Sequence, residues 1–392
     1  MAARIGPADV RLCLGTASVN CGPGPAVATI RFRDRRTLAV LSLDPVNRFG
    51  DAYSDGGVEV EGDLVAGLVS VNRALAKKPG PHWLSKLRSL VPHTPLRDRK
   101  AVEHHYDLGN DFYRLWLDEQ MLYTCAYFDA PDRSLEAAQA AKMEHVCRKL
   151  GLKPGESVVE AGCGWGALAL HMARHHGVSV RAYNLSSEQI AWARKEAQGQ
   201  GLASRVEFIQ KDYREIDGRC DAFVSVGMLE HVGLANYGVL ADVIARTLDR
   251  DRGRGLLHFI GRDWPEPLDS WISRRIFPGA YPPTLDETFR GVFVPAKLSV
   301  VDVENLRPHY ALTLRHWRER YERAVEDGRV SFDERFRRMW RLYLAGSEAA
   351  FRTGWLQLFQ VVFAPSGSGG MPETRAGLYD APEGLTWNEP TF

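Results

Sequence analysis

The stretch "VVEAGCGWGAL", Val158 to Leu168, decides the fold. A strand-like apolar run enters three glycines at alternate positions, Gly162, Gly164 and Gly166, and a helical pattern follows. Glycine permits a sharp strand-to-helix turn and lets a flat ligand come close to the backbone where a Cβ would collide. The same alternation continues outward from this turn. "SLEAAQAAKMEHVCRKLGL" reads as a helix stopped by Gly151, "VSVRAYNLS" as a second strand and "SEQIAWARKEAQGQGL" as a second helix. "RVEFIQKDY", "CDAFVSVGML" and "GRGLLHFIG" supply the third, fourth and fifth strands. This rhythm predicts an α/β, Rossmann-like domain with a mostly parallel, doubly wound sheet.

A chain of 392 residues exceeds one average domain, so a large catalytic domain and a smaller one are expected. Residues 1–80 form the smaller, α+β one. In it "PAVATIRFRD" and "TLAVLSLDP" read as strands, "FGDAYSDGGVEVEGD" as a turn-rich connection and "LVAGLVSVNRALAKK" as a helix. The Pro-, Gly- and Lys/Arg-rich residues 81–101 suit a linker. Residues 102–364 make the catalytic domain, with helices predicted over about 263–355, and residues 365–392 read as a flexible tail.

Composition excludes several classes. Fifty basic and 49 acidic residues leave a net charge of +1, so no global field draws the chain to nucleic acid. Cys13, Cys21, Cys125, Cys147, Cys163 and Cys220 are scattered without a CxxC pair, which predicts neither a metal site nor a disulfide framework and suits a reducing cytoplasm. No apolar run approaches the roughly 18–20 residues needed to span a bilayer.

The GxGxG spacing differs from the GxGxxG that cradles a dinucleotide pyrophosphate, so S-adenosylmethionine is the expected ligand and a class I methyltransferase the expected fold. Glu160 stands at the end of the first strand. The second strand ends in Asn184 where a carboxylate would usually grip a ribose, and Asn184, Leu185 and Gln189 are the candidates there. Asp212 and Tyr213 end the third strand, where an adenine edge would sit.

"HYDLGNDFYRLWLDEQMLYTCAYF" (His105 to Phe128), "EAGCGWGAL", "SVGMLEHVG" (Ser225 to Gly233), "LLHFIG" and "WISRRIFPG" occur in this order. Together they resemble the cyclopropane-fatty-acyl-phospholipid synthases, whose relatives include the mycolic acid cyclopropane synthases. The likeness runs from about Phe49 to Ala364, and "FGDAYSDGGVEVEG" is similar to the family's sterol-carrier-like N-terminal domain. The resemblance implies a methylene transferred to the cis double bond of a phospholipid acyl chain through a carbocation. It implies a bicarbonate ion that takes the proton, held by Cys125, Glu230, His258, Tyr310 and the backbone amide of Ile260. It also places Tyr106, Tyr123 and Thr124 at the donor's methionine end; the family usually has Ser where Thr124 stands, and the hydroxyl is kept. A peripheral position on the inner membrane face and a homodimer are further implications.

The chemistry accounts for these residue types. A carbocation must be kept from water behind apolar and aromatic walls, and a small anion there needs donors such as Tyr, His and a backbone amide. Glu230 beside an anion is sensible if it orients His258 or accepts the bicarbonate hydroxyl, while His231 is expected to pack. Trp271, Ile272, Ile276 and Phe277 suit an acyl-chain wall or a membrane-facing loop. Methyl or methylene branching of the acyl chain, and lipid binding on an inactive methyltransferase fold, are the alternative readings.

Overall fold

A computed structural model describes residues 1–75, 108–130, 132–369 and 374–378. The expected linker over 81–101 and Tyr106 lie outside the described residues. Near the N-terminus, strands β1 (Val10–Leu14), β2 (Ala17–Asn20), β3 (Ala28–Phe32) and β4 (Val58–Gly62) form a sheet in the order β2-β1-β3-β4. Val10, Leu12, Ile30, Phe32 and Val58 form its buried face, with Leu41 and Ala74 from two covering helices.

Two expectations fail in this region. "TLAVLSLDP" is not a strand but lies in a helix, Arg35–Leu43, and "FGDAYS" belongs to a second helix, Pro45–Ser54, rather than to a connection. The reason is capping. Asp34 accepts a hydrogen bond from the Thr37 amide, and Asp44 does the same for Asn47 with Pro45 in the first turn. These start signals outweigh the β-propensity of Val40 and its neighbours. The expected helix at Leu64–Leu75 is present.

The second sheet holds β5 (Ser157–Ala161), β6 (Ser179–Asn184), β7 (Val206–Gln210), β8 (Ala222–Val226), β9 (Arg254–Gly261), β10 (Leu298–Asn305) and β11 (Gln357–Pro365). Their order is β10-β11-β9-β8-β5-β6-β7. The strands from β9 to β7 are parallel, and β11 is antiparallel to both of its neighbours. After β5 the chain first builds outward through β6 and β7, then returns to place β8 on the other flank. A crevice opens at such a reversal.

The span 263–355, expected to hold loops and amphipathic helices, also holds a strand. Between the Ser270–Arg275 and Arg307–Glu326 helices it contributes β10 to the sheet. In the expected tail, Leu378 is buried and Arg375 pairs with Asp302 at 2.5 Å, so the described part of 365–392 is docked rather than loose.

Arginines of the Glu334–Thr353 helix hold the N-terminal unit. Arg338 donates to the carbonyls of Tyr53 and Val58, pairs with Glu59 and lies 4.4 Å over the Tyr53 ring, while Arg335 pairs with Asp55. Trp271 also presses on Gly50, where an added Cβ would fall 2.3 Å from the indole.

Gly164 and Gly166 show two separate uses of glycine in the turn. Both have positive φ, +54° and +89°. A Cβ on Gly166 would stand 2.6 Å from Phe208 and 2.8 Å from Ala193, whereas none of the described residues lies within 4 Å of one on Gly164. Gly166→Ala is therefore expected to cost about 3 kcal/mol or more in urea unfolding, and Gly164→Ala about 1 kcal/mol.

Candidate active site

Two cavities lie at the carboxyl ends of the parallel strands. The first is lined by the glycine turn, Tyr123 and Thr124, and by residues ending β6, β7 and β8. Glu160, Gly162, Gly164, Asn184, Leu185, Gln189, Asp212 and Tyr213 all face it, so every described residue of the expected donor site lines one cavity.

Hydrogen bonds give some of these residues roles other than those expected. Asn184 Oδ1 accepts from the amide of Leu185 at 2.7 Å, and its Nδ2 donates to Gln189 at 2.7 Å and to the carbonyl of Gly164 at 3.2 Å. It thus pins the loops where a ribose-gripping group was anticipated. The Asp212 carboxylate caps a short turn and binds the Arg214 guanidinium at 2.8 Å. Glu160 is wholly buried, one of its carboxylate oxygens has no hydrogen-bond partner among the described residues, and burial pushes its pKa up to about 8.

Sequence reading missed Lys142. On a helix it would ordinarily be a solvated charge, yet it is buried against this cavity and donates to Thr124 Oγ1 at 2.8 Å. Among the described residues no carboxylate stands within ion-pair distance of it. Burial pulls its pKa down, and the Asp118, Cys125 and Glu160 fields oppose that. Gln139, one turn earlier, donates to the Thr124 carbonyl at 2.9 Å.

The second cavity, about 530 Å³, is mostly apolar and lies between the N-terminal unit and the larger sheet. Phe49, Val60, Leu64 and Leu68 line one side, and Trp271, Ile272, Phe277 and Leu342 the other. Cys125, Glu230, His258, Ile260 and Tyr310 all face it. The two cavities share Tyr123, Thr124, Gly227, His231 and Phe277. His231, expected only to pack, thus stands at the junction against the edge of Phe277. Trp271 and Ile276 are buried, the former as cavity wall rather than a membrane-facing loop.

The reactive candidates sit in a dry setting. Cys125 is fully buried, and burial pushes its thiol far above the usual range; Thr313 Oγ1 lies 4.0 Å from its sulfur. His258 hydrogen-bonds Gln360 through Nδ1 at 3.1 Å, and burial holds the ring neutral, well below its ordinary pKa. Tyr310 packs on Phe351 at 4.5 Å and edge-on to Trp317 at 5.9 Å. The Ile260 amide donates to Glu230 Oε1 at 2.5 Å. An anion could take that N–H only in exchange for Glu230. Glu230 Oε2 has no hydrogen-bond partner among the described residues.

Burial pushes the Glu230 carboxyl up to about 7. A folded pKa above the unfolded one gives stability that is complete at low pH and lost as pH rises through the folded value. Gln at this position keeps an acceptor for the Ile260 amide and cannot ionise. Near pH 8, Glu230→Gln is expected to be about 3 kcal/mol more stable than the parent in urea melts, the gap closing toward pH 4.

Comparison with known proteins agrees with this architecture. Residues 93–361 match the family model described as mycolic acid cyclopropane synthetase. The cyclopropane-fatty-acyl-phospholipid synthase of Escherichia coli K12 is 38% identical over 90% of this chain and 92% of its own. A probable fatty acid methyltransferase of Pseudomonas putida is 36% identical over 91% and 93%. The crystal structure of mycolic acid cyclopropane synthase CmaA1, complexed with SAH and CTAB, superposes with a TM-score of 0.64 at 29% identity, covering 70% of this chain and 99% of that one. With a class I methyltransferase sheet and this match, the chain belongs to the mycolic acid cyclopropane synthetase family.

Proposed function

We propose that the chain adds a methylene from S-adenosylmethionine across the cis double bond of an unsaturated phospholipid acyl chain, forming a cyclopropane. The observation that carries this reading is the meeting of the cavity over the glycine turn and a larger, mostly apolar one at Tyr123, Thr124, Gly227, His231 and Phe277. A water-soluble donor and a lipid tail could meet there with little water between them.

The residues present fit both small partners. For the donor, the space over Gly164, the unpartnered oxygen of Glu160 and the buried Lys142–Thr124 pair suit an adenosyl group joined to an amino-acid zwitterion. When bound, S-adenosylmethionine supplies an electrophilic methyl and leaves as the thioether. For bicarbonate, a carboxyl with a pKa of about 7 can carry a proton and donate through Oε2, removing the clash between two anions. Glu230, Cys125, His258 and Tyr310 would hold that ion, and when bound it supplies the base that accepts a proton from the new methyl group. Ile260 acts through Glu230 by fixing its other oxygen.

The protein's own contribution is exclusion of water and placement. Trp271, Phe277 and Tyr310 present aromatic and apolar walls that leave a developing cation unquenched. The neutral His258 ring, set by Gln360, offers a hydrogen bond without adding positive charge beside that cation. Reaching a phospholipid requires contact with a membrane surface, so peripheral association belongs to the same reading.

Incubation with labelled S-adenosylmethionine and mono-unsaturated phospholipid vesicles, followed by mass analysis of the fatty acids, tests it. Gain of one CH2 with loss of the alkene is expected. The same gain with an alkene retained would establish methylene branching instead. No transfer would defeat the enzymatic reading. Glu230→Gln is expected to lose turnover and still bind donor.

Lys142 gives a sharper test of the donor site. Lys142→Met is expected to weaken S-adenosylhomocysteine binding by about tenfold to a hundredfold, the scale of a hydrogen bond to a charged group. Binding of methylthioadenosine, which lacks the amino-acid end, should be unchanged; equal loss for both in calorimetric titrations would reduce Lys142 to a structural role.

A further inference from the structure

Away from both cavities, the helices Leu135–Leu150 and Ala167–His176 pack side by side and bring three ligand-type side chains together. Cys147 comes from the first helix, His171 and His176 from the second, and one potential ligand atom of each lies within 4.8 Å of the others. The thiol is buried, and the His171 and His176 side chains are only 9% and 17% exposed. None of the three lines either cavity.

Glu144, one turn before Cys147, extends the group. Its Oε2 stands 3.0 Å from His176 Nε2 and 3.4 Å from His171 Nε2, and Arg148 Nε binds its other oxygen at 2.9 Å. Bonds of about 2.0–2.1 Å from a tetrahedral zinc ion place neighbouring N and O ligands about 3.3 Å apart. Each imidazole Nε2 therefore stands from that carboxylate at close to the separation of two atoms sharing one ion, and the ligand atoms of Cys147, His171 and His176 lie within 4.8 Å of one another. A sulfur with two imidazole nitrogens selects a borderline cation such as Zn2+ over Mg2+ or Ca2+.

We propose that Cys147, His171 and His176 bind a structural divalent transition-metal ion, zinc by chemistry, with Glu144 beside the two imidazoles. Spacing does not announce the trio, since Cys147 and His176 fall in no CxxC or HxxxH pair with another of its members; only the docking of two helices assembles it. In the metal-free chain the Glu144 carboxylate accepts from both imidazoles, so the site is held together by hydrogen bonds until an ion and the Cys147 thiolate replace them. Such an ion would tie the helix that follows the glycine turn to the helix that carries Lys142.

The test uses the full, tag-free chain stripped with a chelator and titrated with Zn2+ or Co2+. One equivalent of Co2+ is expected to produce the visible bands of a tetrahedral site and a near-ultraviolet thiolate-to-cobalt band, and Zn2+ to bleach both. Cys147→Ser should lose the thiolate band, and His171→Ala should weaken Zn2+ binding by about tenfold or more. The thermal midpoint of the parent, read by circular dichroism, should rise with Zn2+ while that of Cys147→Ser does not. Absence of a tetrahedral spectrum from the parent chain, or a thiolate band that survives Cys147→Ser, would overturn the proposal. The first of these outcomes needs no variant to fold, and none depends on methyl transfer.

Discussion

Everything about the site depends on the reversal of strand order at β5. Because β6 continues to one flank and β8 to the other, the loops after β5 and β8 diverge and leave a gap at the sheet edge. Gly162 and Gly164 occupy one lip of that gap, and Gly227, Met228 and Glu230 follow on the other. A parallel sheet buried on both faces offers few other places where backbone groups are exposed together. The cavity over the glycine turn is this gap, and the larger apolar cavity is its extension under the N-terminal unit.

Burial is the second organising force. Glu160, Lys142, Glu230 and His258 are ionisable groups held almost wholly out of water, and each has its charged form disfavoured by desolvation. Native proteins rarely tolerate such groups without partners. Four of them around two joined cavities are the expense of a site that must manage charge without solvent. Gln360, at the centre of the wholly buried strand β11, serves the same end by fixing one face of His258.

Much of this was legible from residues alone. The glycine turn, the five parallel strands and the helices between them follow from periodicity and punctuation, since each lies in a segment with an unbroken pattern. The lost elements have physical reasons. Arg35–Leu43 reads as a strand when Thr37 and Val40 in a short apolar run are weighed above the helix-forming Leu38, Ala39 and Leu41, and the Asp34 cap is what starts the helix. β11 is apolar on both faces, so it lacks the alternation that marks a half-buried strand. Residues that face the cavities were found where a motif marked them, as with Cys125 and Glu230. Lys142, Gln139 and Gln360 were missed because a lone polar residue on a helix or strand signals nothing until a neighbour from another element meets it. Asn184 and Ile260 were found as positions, yet their hydrogen bonds run within the protein.

The contact between Gly50 and Trp271 ties these parts together in a further way. The indole fills the place of the missing side chain, so position 50 accepts nothing larger than hydrogen while the tryptophan stays. In the language of inheritance the two positions form a single character shared by distant parts of the chain. Divergence at residue 50 must wait for a smaller residue at 271, and that change would open the wall of the apolar cavity. A recombination event that exchanged the N-terminal unit for one from another lineage would succeed only where the incoming segment brought its own gap for the ring.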